Sequence, residues 1–338
     1  MSPKHSFVSF FIVVFIIGLS VFYFNLDHLW QQQKYSVTIA VSKTPLSTPF
    51  YVAQSINAFD NTCVTVEFTE TIGGQAAFNK VMSNEADFGT SSDSVIAYQS
   101  LTHHSFATHT MFVQSDNDVK LITRTSNHIE SANDLQGKRI GVTRGTASEY
   151  LLSTLLSIEG LTFEDVELVH FKPEELIKGF TEKKVDAILP WEPFAFQAFQ
   201  LLGNDIKIHD TKSLSTLSFN LISRTANSQL IEKAKCVIQG LQTAINYIAS
   251  HPEQAKKIVE DELNLDPTFI NWVWQDYIFK LGLNQSFMLN IKSQASWIVE
   301  TQMRGHKSIT NVERLIDSRA LLQVEPGAVN IVLQEGHL

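Results

Sequence analysis

Hydroxyl and glycine residues recur where an apolar run gives way to a helical one, and this is the most visible chemistry in the 338-residue chain. Ser47-Thr48, Gly73-Gly74-Gln75, Thr90-Ser91-Ser92-Asp93 and Gly145-Thr146-Ala147-Ser148 each follow an apolar stretch and open an amphipathic one. The first N–H groups of a helix have no intrahelical partner and lie at the positive end of its dipole. Such junctions can hold a sulfonate, phosphate, nitrate or carboxylate. The same residues also serve as ordinary N-caps, so one junction alone decides nothing. Several junctions around one cleft could converge on a single small ligand. Pro190-Trp191-Glu192-Pro193 adds a bulky aromatic and a carboxylate directly after a strand-like run. Trp191 would cover the apolar part of a ligand. Glu192 would either meet the amino group of a zwitterion or cap a helix.

Other chemistries find little support. No Ser/His/Asp signature or paired-carboxylate motif lies beside these segments, so no catalytic residue is assigned. Asp87-Phe88-Gly89 lacks every companion motif of a kinase. His103, His104 and His109 are expected in a polar loop with no thiolate or carboxylate at ligand spacing, so neither a metal nor a cofactor is expected. Arg144 is expected to be exposed. Cys63 and Cys236 do not form a zinc-binding pattern, and two buried free thiols are expected, with a single long-range bridge as the alternative. A formal net charge of -9 with scattered Lys and Arg excludes a nucleic-acid partner.

The elements that would position these residues begin after an apolar segment. Phe7 to Phe24 is uncharged, rich in Phe, Ile and Val, and long enough to span a bilayer. It reads as a retained membrane anchor, with a cleaved signal peptide as the alternative; Gly18 and Ser20 lie inside the run rather than after it. Lys4 on its near side places the remainder outside the cytoplasm. Residues 37–41, 64–68 and 86–90 read as strands, and residues 50–59, 75–83 and the stretch after Ser92 as helices. Further strands are expected at 108–114 and 119–123. The grammar then repeats with strands at 139–143, 167–170 and 185–189 separated by helices at 147–159 and 173–181. Strands at 206–209 and 219–223 bring the chain back. Helices at 231–250, 252–263, 267–279 and 285–304 follow, with Trp272, Trp274 and Tyr277 as core or interface residues, and a tail wraps the first lobe.

This pattern predicts an α/β fold of mostly parallel sheets in two lobes, with ligands beyond the carboxyl ends of the strands. The expected division is residues 1–35 as anchor and spacer, 36–125 as the start of the first lobe, 126–218 as the second lobe, and 219–338 as the return to the first. Hinge segments are expected at 123–127 and 215–219.

Four segments in order carry a resemblance: Pro49-Phe50-Tyr51-Val52-Ala53-Gln54, Asn84-Glu85-Ala86-Asp87-Phe88-Gly89, Asp134 through Val142, and Val185 through Pro193. Together they make residues 36–300 similar to the nitrate/sulfonate/taurine family of ABC-transporter substrate-binding proteins. The resemblance implies a type II periplasmic-binding-protein fold that binds a small solute outside the membrane and delivers it to a cognate ABC permease. It implies no enzyme activity and no cofactor. By position it implies ligand contacts from Thr48, Pro49, Ser91, Ser92, Thr146, Ser148, Trp191 and Glu192. Binding of a thiamine-precursor pyrimidine on the same fold, an enzyme built on the same cleft, and a membrane-tethered ligand sensor are the alternatives.

Overall fold

The computed structural model describes residues 34–102, 105–225, 227–301 and 311–331. Phe7 to Phe24, His103 and His104 lie outside them. Among the described residues no helix is long and apolar enough to cross a membrane.

The described chain opens on β1 (Tyr35–Ser42), in which Val37, Ile39, Ala40 and Val41 are all buried, as in a strand covered on both faces. Next come α1 (Thr48–Ser55), β2 (Val64–Thr71), α2 (Gly74–Met82), β3 (Phe88–Ser92), α3 (Asp93–Ser100) and β4 (Phe106–Ser115). Then follow β5 (Ile122–Arg124), β6 (Arg139–Val142), α4 (Ala147–Ile158), β7 (Glu167–His170), α5 (Pro173–Thr181), β8 (Ala187–Ile188), α6 (Phe194–Leu202) and β9 (Ile206–Ile208). The return consists of β10 (Leu217–Arg224), α7 (Ser228–Ser250), α8 (Pro252–Leu263), α9 (Pro267–Trp274), β11 (Tyr277–Asn284), α10 (Gln285–Thr301), α11 (Arg319–Val324) and β12 (Val329–Asn330).

Two sheets result. One is seven-stranded in the order β12-β11-β4-β10-β3-β1-β2, and the other five-stranded in the order β7-β6-β8-β5-β9. β1–β3, β6–β7 and β6–β8 pair in parallel, but β10 is antiparallel to both β3 and β4, and β5 to both β8 and β9. The sheets are therefore mixed rather than mostly parallel, and the reason is the route of the chain. It leaves the first sheet at the carboxyl edge through β4 and enters the second at its carboxyl edge through β5, against the parallel strands. It leaves through β9 and re-enters the first through β10 in the same way. The two crossings, residues 116–121 and 209–216, thus join carboxyl edge to carboxyl edge and make those edges face each other. The crossings run side by side: His209 N–H donates to Leu121 O at 3.0 Å and Thr211 Oγ1 to Val119 O at 3.3 Å. The first hinge expected from sequence, 123–127, falls instead on β5 and a 3-10 turn, Thr125–Asn127.

Strand alternation builds the second lobe. Ala187 and Leu189 pack with Val142, Leu152 and Leu156 on one face, whereas Ile188 packs with Leu176, Phe180 and Ala195 on the other. In the first lobe α1 is seated by Phe50, whose ring meets Phe112 of β4 edge-on at 4.9 Å and Phe68 of β2 at 6.0 Å. Pairs of this kind add about 0.5–1.5 kcal/mol beyond their area burial. They fix the helix start at the sheet edge.

Three expectations are corrected. The helix expected over 267–279 stops at Trp274, and residues 277–284 form β11 beside β4. Tyr277, Leu281 and Leu283 are buried at period two, and that period outweighs the apolar spacing that suggested a helix. His109 lies not in a loop but inside β4, fully buried, with Nε2 at 2.8 Å from Ser223 Oγ. Burial lowers its pKa to about 4, so it is neutral at physiological pH. Cys63 and Cys236 are joined in a disulfide between the segment before β2 and helix α7, with Cα atoms 5.6 Å apart. The tail does lie on the first sheet: Thr108 pairs with Ile316, and β12 is parallel to β11.

Candidate functional site

At the carboxyl edge of the first sheet, three turns are tied together. Ser42 N–H donates to Thr90 Oγ1 at 2.8 Å, Lys43 N–H to Thr71 O at 2.8 Å, and Ser91 Oγ to Gly74 O at 3.3 Å. A methyl group on Gly74 would lie 3.0 Å from Ser92 N, so any larger residue would push the two turns slightly apart. The consequence for the expected ligand contacts is mixed. Thr48, Pro49 and Ser91 are fully buried, and the hydroxyl of Thr48 is spent on Pro45 O at 2.5 Å. These three hold the turns in place. Ser92 is partly exposed and caps α3, its oxygen accepting from Val95 N–H at 3.3 Å.

The matching turn of the second lobe is Thr143 to Ser148. Thr146 caps α4, donating to Thr143 O at 2.7 Å and accepting from Ser148 N–H at 3.3 Å. Ser148 is fully buried; its hydroxyl donates to Leu189 O at 2.6 Å, which fastens the turn to the end of β8. Gly145 has φ +69, and a methyl on it would lie 3.7 Å from the ring of Tyr98 on α3. Ser94 and Ala147 line one narrow space of about 10 Å³ together with Asp116 and Asp118. The starts of α3 and α4, one from each lobe, therefore oppose each other at close range.

Both of those starts already carry a carboxylate. Asp93 is fully buried in the first turn of α3, accepting from Ser94 N–H at 2.8 Å, Ser218 N–H at 3.1 Å and Asn290 Nδ2 at 2.6 Å. Burial raises its pKa to about 7. Glu149 in the first turn of α4 is 3% exposed; it accepts from Gly145 N–H at 2.7 Å and lies 2.7 Å from His170 Nε2. Arg144 is exposed, as expected, and reaches the other ring nitrogen of His170 at 3.2 Å. An incoming anion thus meets helix ends whose dipoles are partly answered by the chain's own acids.

Trp191 and Glu192 sit apart from these turns, at the crossings. Trp191 bridges to Val119 and packs edge-on to Phe194 at 6.0 Å. Glu192 is 2% exposed and caps α6 through Phe196 N–H at 3.0 Å. It also lies 3.3 Å from Lys120 Nζ and accepts from Trp272 Nε1 at 2.8 Å. Burial nevertheless pushes its pKa up, against the pull of Lys120. Asp118 is buried beside it, with its pKa raised to about 7 mainly by burial and secondarily by Glu192, and it accepts from Tyr277 OH at 3.1 Å. Of the two roles open to Glu192 in the sequence, the geometry has it in the capping one.

Asp118, Lys120 and Glu149 escaped sequence reasoning, while Asp93 was noted only as part of a helix-opening junction and Trp272 only as a core or interface residue. Asp93 and Glu149 had a signal: each is an acid in the first turn after a hydroxyl cap. Lys120 had one too, as a charge inside an expected apolar strand. Among the described residues no group of three or more His, Cys, Asp or Glu could hold a metal ion.

The two facing carboxyl edges define the fold class: a two-lobed periplasmic-binding-protein fold. Its architecture matches the alkanesulfonate-binding protein SsuA from Xanthomonas axonopodis pv. citri bound to MOPS, with a TM-score of 0.69, 16% identity, and coverage of 84% of this chain and 98% of that one. It likewise matches the periplasmic aliphatic sulphonate binding protein SsuA from Escherichia coli, with a TM-score of 0.70, 16% identity, and coverage of 83% and 97%. At these identities the likeness is one of fold. The family is set by sequence: residues 44–255 match the model described as NMT1/THI5 like, and the chain belongs to that family. A relative in Brucella abortus named "Putative binding protein" is 24% identical over 141 residues, which is 40% of this chain and 44% of the relative's length. A Bacillus subtilis relative named for binding aliphatic sulfonates is 20% identical over 241 residues, 71% of this chain and 72% of its own. The resemblance drawn from the four sequence segments agrees with both comparisons.

Proposed function

We propose that the chain is the extracytoplasmic solute-binding component of an ABC uptake transporter, clasping a small solute between its lobes and delivering it to a cognate permease. The observation that carries this reading is the opposition of the two helix starts, with Gly145 of the second lobe under the ring of Tyr98 of the first. The family, the fold and the sulfonate-binding names of two relatives support it. The disulfide fits an oxidising compartment.

For the solute we propose a small organosulfonate that also carries an amino group, of the taurine type. The positive helix starts and the partly exposed hydroxyls of Ser92 and Thr146 suit the sulfonate, and the carboxylates of Asp93 and Glu149 disfavour a bare anion such as nitrate. The Tyr98 ring at the same turn is also a stacking surface for a pyrimidine, which is the second reading. Thermal unfolding of the full chain with taurine, ethanesulfonate, nitrate and an aminopyrimidine decides among them, because a ligand that binds only the folded state raises the melting temperature. Taurine is expected to give the largest rise. A rise with the pyrimidine alone would replace the solute class, and no rise with any compound would remove the transport reading.

A further inference from the structure

Besides the crossings and the opposed helix starts, a third connection between the lobes runs through α10. This helix belongs to the first lobe, where it packs on α3 and buries Phe287, Met288, Ile291, Ala295 and Ile298. Trp297 flanks that stripe and reaches sideways into the second lobe. Its ring meets Tyr150 of α4 edge-on at 5.4 Å and Phe163, in the 3-10 turn before β7, at 6.3 Å. Phe163 is itself packed against the second-lobe core that contains Leu152 and Leu156. Neither Trp297 nor Phe163 lines the narrow space between the helix starts or the cavity of about 200 Å³ beside it, although Tyr150 lines the latter.

Two properties of the indole oppose each other at this contact. Its apolar burial and the edge-on geometry of both ring pairs favour keeping the lobes together. Its N–H group works against that: Trp297 Nε1 is buried, and among the described residues none accepts from it. An indole N–H is a donor that water satisfies, so closing strips a hydrogen bond that parting the lobes restores. The contact therefore holds the lobes without locking them.

On the reading of the two lobes as a solute clasp, we propose that Trp297 is an interlobe latch, a positioning residue that sets how long a solute stays bound without touching it. A clasped solute leaves only when the lobes part, and parting breaks both ring contacts, so the latch acts on the dissociation rate. Solute enters the open arrangement, in which the rings are already apart, so the association rate is spared.

Stopped-flow binding of taurine to the full chain in detergent micelles separates the two rates. Trp297→Ala should speed dissociation roughly tenfold, the scale of a lost aromatic pair, and leave association unchanged. Phe163→Ala, made from the other lobe, should do the same, and the two changes together should do little more than either alone. Trp297→Phe keeps a ring and deletes the orphaned N–H, so its dissociation should be as slow as in the parent chain or slower. Hydrogen exchange of the unliganded full chain reads the latch without any solute. Amides in the first turn of α4, residues 147–150, should exchange faster in Trp297→Ala and no faster than the parent in Trp297→Phe. Dissociation and exchange both unchanged in Trp297→Ala would overturn the latch, as would Trp297→Phe behaving like Trp297→Ala. Faster exchange in Trp297→Ala of a chain that binds no taurine would leave the latch standing and remove the solute class instead.

Discussion

Trp272 Nε1 donates to Glu192 Oε1 at 2.8 Å, and this single bond joins the helix that leads into β11 of the seven-stranded sheet to the turn between β8 of the five-stranded one and α6. Lys120, on the first crossing between the sheets, lies 3.3 Å from the same oxygen. Around them Phe196 of α6 packs on Trp272 at 5.7 Å, and Phe199 stacks on it at 5.1 Å. Lobe, crossing and lobe therefore meet at one carboxylate.

The first prediction concerns that node. Lys120 and Glu192 side chains are 3% and 1% exposed, so removing the cation alone leaves a buried carboxylate without compensation. Lys120→Met is expected to cost about 3–5 kcal/mol in urea unfolding. Adding Glu192→Gln to it should recover part of that loss, because the uncompensated charge goes with it. A double variant weaker than Lys120→Met alone would show that Glu192 contributes chiefly through Trp272 and Phe196.

A second prediction separates two neighbouring hydroxyls. Thr146→Ala removes a cap and is expected to cost about 1 kcal/mol. Ser148→Ala leaves the Leu189 carbonyl without its buried donor and should cost more, about 1–3 kcal/mol. Thermal unfolding of the two variants without ligand reads the difference. With taurine added, Thr146→Ala should also lose much of the rise in melting temperature, since it alone of the two has partial exposure at the turn.

The pH dependence of stability follows from three buried groups. Asp93 and Asp118 have folded pKa values raised from 3.8 to about 7, so the folded state holds their protons more tightly than the unfolded chain does. Their contribution is complete below 3.8 and is lost as the pH rises through about 7. His109 works the other way: its folded pKa falls from 6.5 to about 4, so its contribution is present above 6.5 and is lost as the pH falls through about 4. Urea midpoints measured from about pH 5 to about pH 8 should fall with rising pH less steeply in Asp93→Asn than in the parent chain. Parallel slopes would place the titrating group elsewhere.

Much of this architecture was legible in the sequence, and the reasons are particular. The hydroxyl caps at Ser92 and Thr146 were readable because a cap is a local event. Helices at Pro173–Thr181 and Pro252–Leu263 were readable because proline marks the first residue of each. β11 was lost because its alternation is blurred by an apolar residue on the outer face, the exposed Ile278, and because it sits directly after a Trp-rich helix. The orientation of the hydroxyls was not legible at all. Whether Ser148 faces solvent or the Leu189 carbonyl depends on a strand that comes 41 residues later. The Glu192 node is equally nonlocal, since Lys120, Glu192 and Trp272 share no sequence neighbourhood.

The Cys63–Cys236 bond has a consequence for the connectivity of the molecule. The two cysteines are 173 positions apart, and the span between them contains β5 through β9, the whole five-stranded sheet, together with both crossings. The second lobe is therefore part of a covalent ring closed inside the first. A protease that cuts one exposed loop of that lobe opens the ring without releasing a fragment. Nicked protein should run as a single species on a non-reducing gel and separate into two pieces only after a thiol is added. Oxidised chain thus keeps both lobes tethered through a backbone break that would otherwise leave them free to part.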